Sequence, residues 1–173
     1  MLNIIDGYNL LNVANVPVRI RGRANLEKAR LALLNFLAES LDPEEVPQTL
    51  VVFDAHDPPP GLPREMRHKG LLVRFANRDD DADTLIEELI REDSSPRRLT
   101  VVSSDHRIQR AAKRRRARAI DSDVWYAEVI RARRQRQQTA SEGPERPSVP
   151  LLEEDVRYWL REFGEDDKGK REW

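Results

Sequence analysis

The apolar residues of this chain come in short runs, and three of the runs end on an aspartate. Leu2, Ile4 and Ile5 lead into Asp6. Leu50, Val51, Val52 and Phe53 lead into Asp54. Leu99, Val101 and Val102 lead through Ser103 and Ser104 into Asp105. Runs this short, rich in β-branched residues, predict buried strands. Residues 71–75 and 117–120 predict two more. Between them the period lengthens to that of a helix. Leu26, Ala29, Leu33, Leu34, Leu37 and Leu41 line one face over residues 24–41, with Glu27, Lys28, Arg30 and Glu39 mostly outward. Ala82, Leu85, Ile86, Leu89 and Ile90 do the same over 81–92. Ile108, Ala111 and Ala112 mark a helix that Asp105 caps or begins, and 123–138 a further one, apolar early and basic later. Strands alternating with helices predict an α/β fold: a parallel sheet flanked by helices on both faces.

The remaining stretches read as connections. Residues 12–22 form a loop made basic by Arg19, Arg21 and, just after it, Arg23. Asp42-Pro43 stops the first long helix. The proline-rich stretch from Asp57 to Pro63 opens a surface loop that runs to Gly70 and carries Arg64, Arg67, His68 and Lys69. Residues 139–150 mix Ser, Gly, Pro and charge, as a flexible linker does. Residues 151–163 predict a short amphipathic helix through Leu152, Val156, Trp159, Leu160 and Phe163, followed by a charged tail. The expected organisation is a domain over 1–138, a linker over 139–150 and a helical extension over 151–173.

Composition narrows the function. A chain of 173 residues suits one domain with a short tail. No cysteine is present, which excludes disulfides and thiolate metal sites. No stretch approaches the roughly 18 apolar residues of a membrane span, and the amino terminus starts as a strand, not as a signal region. The expectation is a soluble cytoplasmic protein with no membrane partner. The net charge of −1 hides segregation. Residues 79–93 are acidic but for Arg91, and residues 107–118 are basic with no acid. A local basic patch beside an acidic cluster suits a polyanion better than the neutral total suggests.

In an open parallel sheet, ligands bind outside the carboxyl ends of the strands. The strand-end acids therefore stand where chemistry would be. Carboxylates converging without cysteine suit a hard divalent cation such as Mg²⁺ or Mn²⁺, which prefers oxygen ligands. Such an ion would remove their repulsion and polarise a phosphodiester. Each residue also has a plainer reading. Asp6 could cap a turn with Gly7 and Asn9, Asp54 could be a turn residue, and Asp105 an N-cap. Asp83 lies in a helix start crowded by Asp81, with Glu87 its helical neighbour. The basic run could be a solvated face.

Four blocks occur together in this order: Ile5-Asp6-Gly7-Tyr8-Asn9, Val51-Val52-Phe53-Asp54-Ala55-His56, Ala82-Asp83-Thr84-Leu85-Ile86-Glu87, and Ser103-Ser104-Asp105 through Gln109. Together they resemble the signature blocks of the NYN-domain family in its bacterial YacP-like branch, over residues 1–136. The resemblance implies a PIN-like three-layer fold and a metal-dependent endoribonuclease using Mg²⁺ or Mn²⁺. That branch includes a ribosome-associated enzyme that cleaves messenger RNA, so it also implies RNA and the ribosome as partners. On the same resemblance Asp6, Asp83 and Asp105 match the acidic pocket that holds metal. Asn9 matches the motif asparagine that orients a ligand or substrate phosphate, and Asp54, Asp81 and Glu87 would support the pocket from behind. Asp81 departs from the pattern, which often has a hydroxyl residue there. Water would attack phosphorus in line, leaving a 5′-phosphate and a 3′-hydroxyl. Arg107, Arg110, Lys113, Arg114, Arg115 and Arg116, with Arg64, Arg67 and Lys69, are the candidates for contact with the RNA backbone.

Two other classes are set beside this one. A non-catalytic module would bind RNA or the ribosome without cutting. A phosphotransfer domain of the haloacid-dehalogenase kind would want an acid two positions after Asp6, where Tyr8 stands. One of the response-regulator kind would want an acid pair at the first strand end, where only Asp6 is present. A dinucleotide-binding domain would need a glycine-rich turn that Asp6-Gly7-Tyr8-Asn9 lacks.

Overall fold

Among the described residues, five parallel strands and one antiparallel edge strand make a single sheet with the order β3-β4-β2-β1-β5-β6. In chain order the elements are β1 (Asn3–Asp6), α1 (Gly7–Val13), α2 (Arg23–Ser40), β2 (Thr49–Phe53), β3 (Glu65–His68), β4 (Leu71–Phe75), α3 (Ala82–Glu92), β5 (Thr100–Val102), α4 (His106–Arg114), β6 (Arg118–Ile120) and α5 (Ser122–Ser141). The computed structural model describes residues 1–14, 23–54, 64–76 and 81–141. Arg19, Arg21, His56, Asp79, Asp80, most of the expected linker and the expected helix with Trp159 lie outside the described residues. The chain divides into compact units at Met1–Gln135 and Arg136–Trp173. α5 runs through Ser141, so the first residues of the expected linker are helical.

Strand alternation explains the two cores. In β1, Ile5 faces one side of the sheet and Ile4 the other; in β2, Val51 and Phe53 oppose Leu50 and Val52. One face is covered by α1, α2 and α5 through Leu10, Leu33, Leu37 and Trp125. The other is covered by α3 and α4 through Ile86, Ile90, Ile108 and Ala112. Both faces are apolar because both are covered, which is why the strands read as continuous apolar runs.

Three expectations need correction. Residues 7–13 form a helix where the sequence suggested only a turn and a loop. Asp6 caps it, accepting from the Asn9 backbone N–H at 3.1 Å. The expected loop up to Gly70 contains β3, paired antiparallel with β4 through a tight hairpin. Lys69 (φ 46°) and Gly70 (φ 94°) both take positive φ there, as a two-residue hairpin turn that matches strand twist requires. Arg30 points inward, not outward, and is only 4% exposed. Its guanidinium lies 5.2 Å from the Tyr8 ring, 5.8 Å from Phe53 and 5.7 Å from Phe75, and donates to the Tyr8 hydroxyl. Aromatic faces offset part of the cost of burying the cation.

Candidate active site

The chain reverses direction across the sheet at β1. From β1 it builds outward through β2 to β4, then crosses back to add β5 and β6 on the other side. Such a switch point leaves a crevice at the carboxyl ends of the two diverging strands. Here those strands are β1, ending at Asp6, and β5, followed by Ser103, Ser104 and Asp105.

Asp6 is held from both sides. Its Oδ1 accepts from the Asn9 N–H, and its Oδ2 accepts from the Ser103 hydroxyl at 3.0 Å. Ser103 Oγ in turn accepts from the Asp105 N–H at 3.1 Å. Asp105 caps α4, its Oδ1 accepting from the N–H groups of Arg107 (2.6 Å) and Ile108 (3.3 Å). Its other oxygen is used in no bond among the described residues. A cap needs one acceptor oxygen, so the cap and a second role are compatible on a single carboxylate.

Asn9 ties three elements together. Its Oδ1 accepts from the Ser104 N–H at 3.1 Å and from the Ser122 hydroxyl at 2.8 Å. The Ser122 N–H in turn donates to Ser104 Oγ at 3.1 Å. Gln109 adds a second tie, donating to Ser103 O at 2.9 Å and to Asp121 at 2.8 Å. The asparagine thus fixes the loop that carries Asp105. Replacing Asn9 with Ala should cost about 2 kcal/mol, because two partly buried donors lose their acceptor. Ser122→Ala should cost clearly less, since the Ser104 N–H keeps its partner. Urea unfolding of the two variants checks the order.

α3 supplies the third wall. Asp81 caps it, accepting from the Thr84 N–H at 2.7 Å. Bonds from Thr84 and the nearby Arg107 guanidinium hold the Asp81 carboxyl below its ordinary pKa. A hydroxyl residue at this position could form the same cap. Asp83, in the first turn of α3, behaves oppositely. Burial raises its pKa first, then the charges of Asp105, Asp6 and Asp81, with Arg107 opposing. The Asp6 pKa is also raised, mainly by burial and also by Asp105, against the bonds from Asn9 and Ser103. The helix-start acids therefore divide into Asp81, engaged as a cap, and Asp83, coupled to Asp6 and Asp105.

Arg107 spans α4 and α3 over this cluster. It forms a bidentate pair with Glu87 (3.1 and 3.2 Å), approaches Thr84 Oγ1 at 3.3 Å, and lies 3.7 Å from Asp81. Glu87 is thus the partner of Arg107. Asp54 follows β2 at the same end of the sheet, half-buried. Among the described residues no three Asp, Glu or His side chains are grouped closely enough to hold a metal ion together. The donor set is all oxygen, and Mg²⁺ commonly takes one or two carboxylates with waters completing the shell. The residues fit that mode of binding and not a dry three-carboxylate cage.

The candidate RNA contacts do not lie together. Arg107 stands at the amino end of α4, beside the acids, and Arg110 stands exposed in the middle of that helix. Lys113, Arg114, Arg115 and Arg116 stand at its far end, roughly 13 Å along a helix of this length. Arg67 and Lys69 lie near the hairpin turn, also at the amino end of the sheet, where Lys69 pairs with Glu39 at 3.1 Å. Arg64 alone of that group lies at the carboxyl end, its carbonyl accepting from the Phe75 N–H. Of the positioning residues, Ser103, Ser104 and Gln109 lie within the fourth resemblance block, whereas nothing in the sequence marked Ser122.

The family described as YacP-like NYN domain matches residues 3–161 of the chain. The chain belongs to that family. No curated protein matches it. Two solved structures are similar: Rae1 (YacP) from Bacillus subtilis, at 24% identity and a TM-score of 0.62 over 96% of each chain, and a tryptophan-to-leucine mutant of the same protein, at 24% identity and 0.60 over 90% of this chain and 89% of that one. The YacP-like NYN fold is the PIN-like arrangement expected from the sequence, and membership places the chain in a family of nucleases. Among the described residues no helix is long and apolar enough to cross a membrane.

Proposed function

We propose that this YacP-like NYN protein is an endoribonuclease that hydrolyses RNA phosphodiester bonds with Mg²⁺ or Mn²⁺, acting on messenger RNA at the ribosome. The observation that supports this reading is the delivery of Asp6, Asp83 and Asp105 by three separate elements to the carboxyl end of the sheet, with Asp6 and Asp105 joined through Ser103; burial and neighbouring acids raise the pKa of Asp6 and Asp83. Acids raised in this way by burial and by each other cluster at functional sites. Asp6, Asp83 and Asp105 would hold the ion through one or two direct contacts and bridging water. A bound divalent ion supplies charge neutralisation and a more acidic water. The protein does the rest. Ser103 and the Asn9 N–H fix the Asp6 carboxylate. The Asn9 side chain fixes the loop before Asp105. Arg107 and Arg110 offer guanidinium groups to the approaching phosphates.

End-labelled RNA incubated with the purified protein tests the reading, with Mn²⁺, with EDTA, and with or without translating ribosomes. Cleavage that requires metal and leaves 5′-phosphates is the expected result. Binding without cleavage in either setting would replace the nuclease by a non-catalytic RNA-binding module. Metal binding has its own readout. Mg²⁺ or Mn²⁺ at a hundredfold excess over its Kd should stabilise the fold by about 2.7 kcal/mol, seen as a rise of several degrees in Tm. EDTA should reverse it.

A further inference from the structure

Opposite the acidic pocket, at the amino end of the parallel sheet, two short basic segments lie side by side. One is the single turn Pro96–Arg98 that feeds β5, with Arg97 and Arg98 exposed. The other is the end of α4 and the turn into β6, with Lys113, Arg114 and Arg116 exposed. Their adjacency is fixed by bonds: the Arg115 guanidinium donates to Asp93 O at 3.1 Å, and the Arg118 N–H donates to Leu99 O at 2.9 Å. Among the described residues these five cations have no carboxylate partner, whereas Arg118 pairs with Glu128 at 3.4 Å.

The turn itself carries a second signal. The Ala117 N–H donates to Ala112 O and the Arg116 N–H to Lys113 O, which closes α4 in a Schellman motif with Arg116 at φ 62°. That position ordinarily holds glycine, since a side chain there is strained. Here it holds Arg116, an exposed cation.

We propose that this patch is a second RNA-binding surface, separate from the acidic pocket, that takes the phosphodiester backbone of a folded RNA. Neither segment contains an aromatic residue on which a base could stack, so it would read phosphates and not sequence. The proposal rests on the reading that RNA is the partner, but on no assignment within the acidic pocket.

The test is binding of the full chain, in EDTA, to an RNA hairpin of several helical turns and to a single-stranded hexanucleotide. The variant carries Arg97→Gln, Arg98→Gln, Lys113→Gln and Arg114→Gln together. Its Kd for the hairpin should rise at least about tenfold at physiological salt, and the slope of log affinity against log salt should shrink by about 3. Its hexanucleotide binding should fall clearly less, since a short strand offers the patch fewer phosphates. Arg116→Gly should weaken hairpin binding while keeping or raising Tm, which separates lost charge from lost folding. Unchanged hairpin affinity in the fourfold variant would overturn the proposal. So would polyglutamate competing as well as RNA, which would mark the patch as a site for acidic protein. If Asp105→Asn loses hairpin binding and the fourfold variant does not, RNA is held by the pocket and not by this surface. Absence of cleavage with the expected slope change would count against the nuclease and leave the surface standing.

Discussion

Asp6→Asn should reduce RNA cleavage by about 10²–10³ or more, the scale of removing a group that stabilises transition-state charge, and should leave the fold at least as stable at pH 7. The two halves of this expectation come from different atoms. The cap of α1 needs only an acceptor, and asparagine caps as well as aspartate; the amide oxygen can still accept from the Asn9 N–H. The amide nitrogen would face Ser103 Oγ, a hydroxyl with two lone pairs that can accept from it while keeping the Asp105 N–H. What disappears is the negative charge. Burial, and then the charge of Asp105, raise the Asp6 pKa above 3.8. The folded chain therefore binds more protons than the unfolded chain between 3.8 and the raised value. Above that window the ionised carboxylate costs stability in full, and the cost fades as pH falls to 3.8. The variant lacks this term, so its advantage over the parent should be largest at neutral pH and vanish below the ordinary carboxylate range. Urea midpoints at pH 7 and in mild acid measure this, and cleavage is assayed on the same samples. Full activity would show that cleavage does not depend on the Asp6 charge. A large loss of stability would show that its structural bonds outweigh its charge.

The five parallel strands and the three helices with clear stripes, α2, α3 and α4, were legible because burial on both faces leaves continuous apolar runs and wide helical stripes. β3 was hidden for the opposite reason. Glu65, Met66, Arg67 and His68 form an edge strand, exposed or half-exposed throughout, so no apolar pattern marks it. α1 was hidden by its length of seven residues and by Gly7, which reads as a turn. The inward side of Arg30 could not be seen either, since its cage is drawn from Tyr8, Phe53 and Phe75 on three different elements. Around the site, adjacency in sequence misled in one respect. Lys113 to Arg116 follow Asp105 closely along the chain, but α4 carries them to the other end of the sheet. The aspartates themselves were legible because each stands at the end of a strand or the start of a helix. Which of them couple was not, because coupling depends on the order β2-β1-β5, and a single sequence does not state which strands are neighbours.

Gly7→Ala sets two magnitudes against each other. By helix propensity alone alanine should gain up to about 1 kcal/mol over glycine. Packing opposes this. A Cβ on Gly7 would lie 2.4 Å from Phe53 Cε1, 2.5 Å from Phe53 Cδ1 and 2.8 Å from the Val52 carbonyl oxygen. The ring has little room to turn. Phe53 is fully buried, with the Tyr8 ring 5.4 Å away edge-on and the Phe75 ring 5.8 Å away in a stack. The carbonyl belongs to β2, which is paired on both sides. Overpacking of this kind typically costs about 1–3 kcal/mol and sometimes more, so the net expectation is a loss of about 2 kcal/mol. The loss of activity should be disproportionate. Gly7 sits between Asp6 and Asn9, and relief of the clash must lift the start of α1 away from β2. That shift moves the Asp6 carboxylate and the Asn9 tether together. Gly70→Ala is the control. It is strained by a φ of 94° and meets Val46 Cγ1 at 3.1 Å, but it lies in the hairpin turn at the amino end of the sheet. At a temperature where both variants are folded, Gly70→Ala should cleave RNA like the parent and Gly7→Ala should not. Equal activity in the two would mean that the pocket tolerates movement of α1, and that Asp6 and Asn9 do not set its geometry.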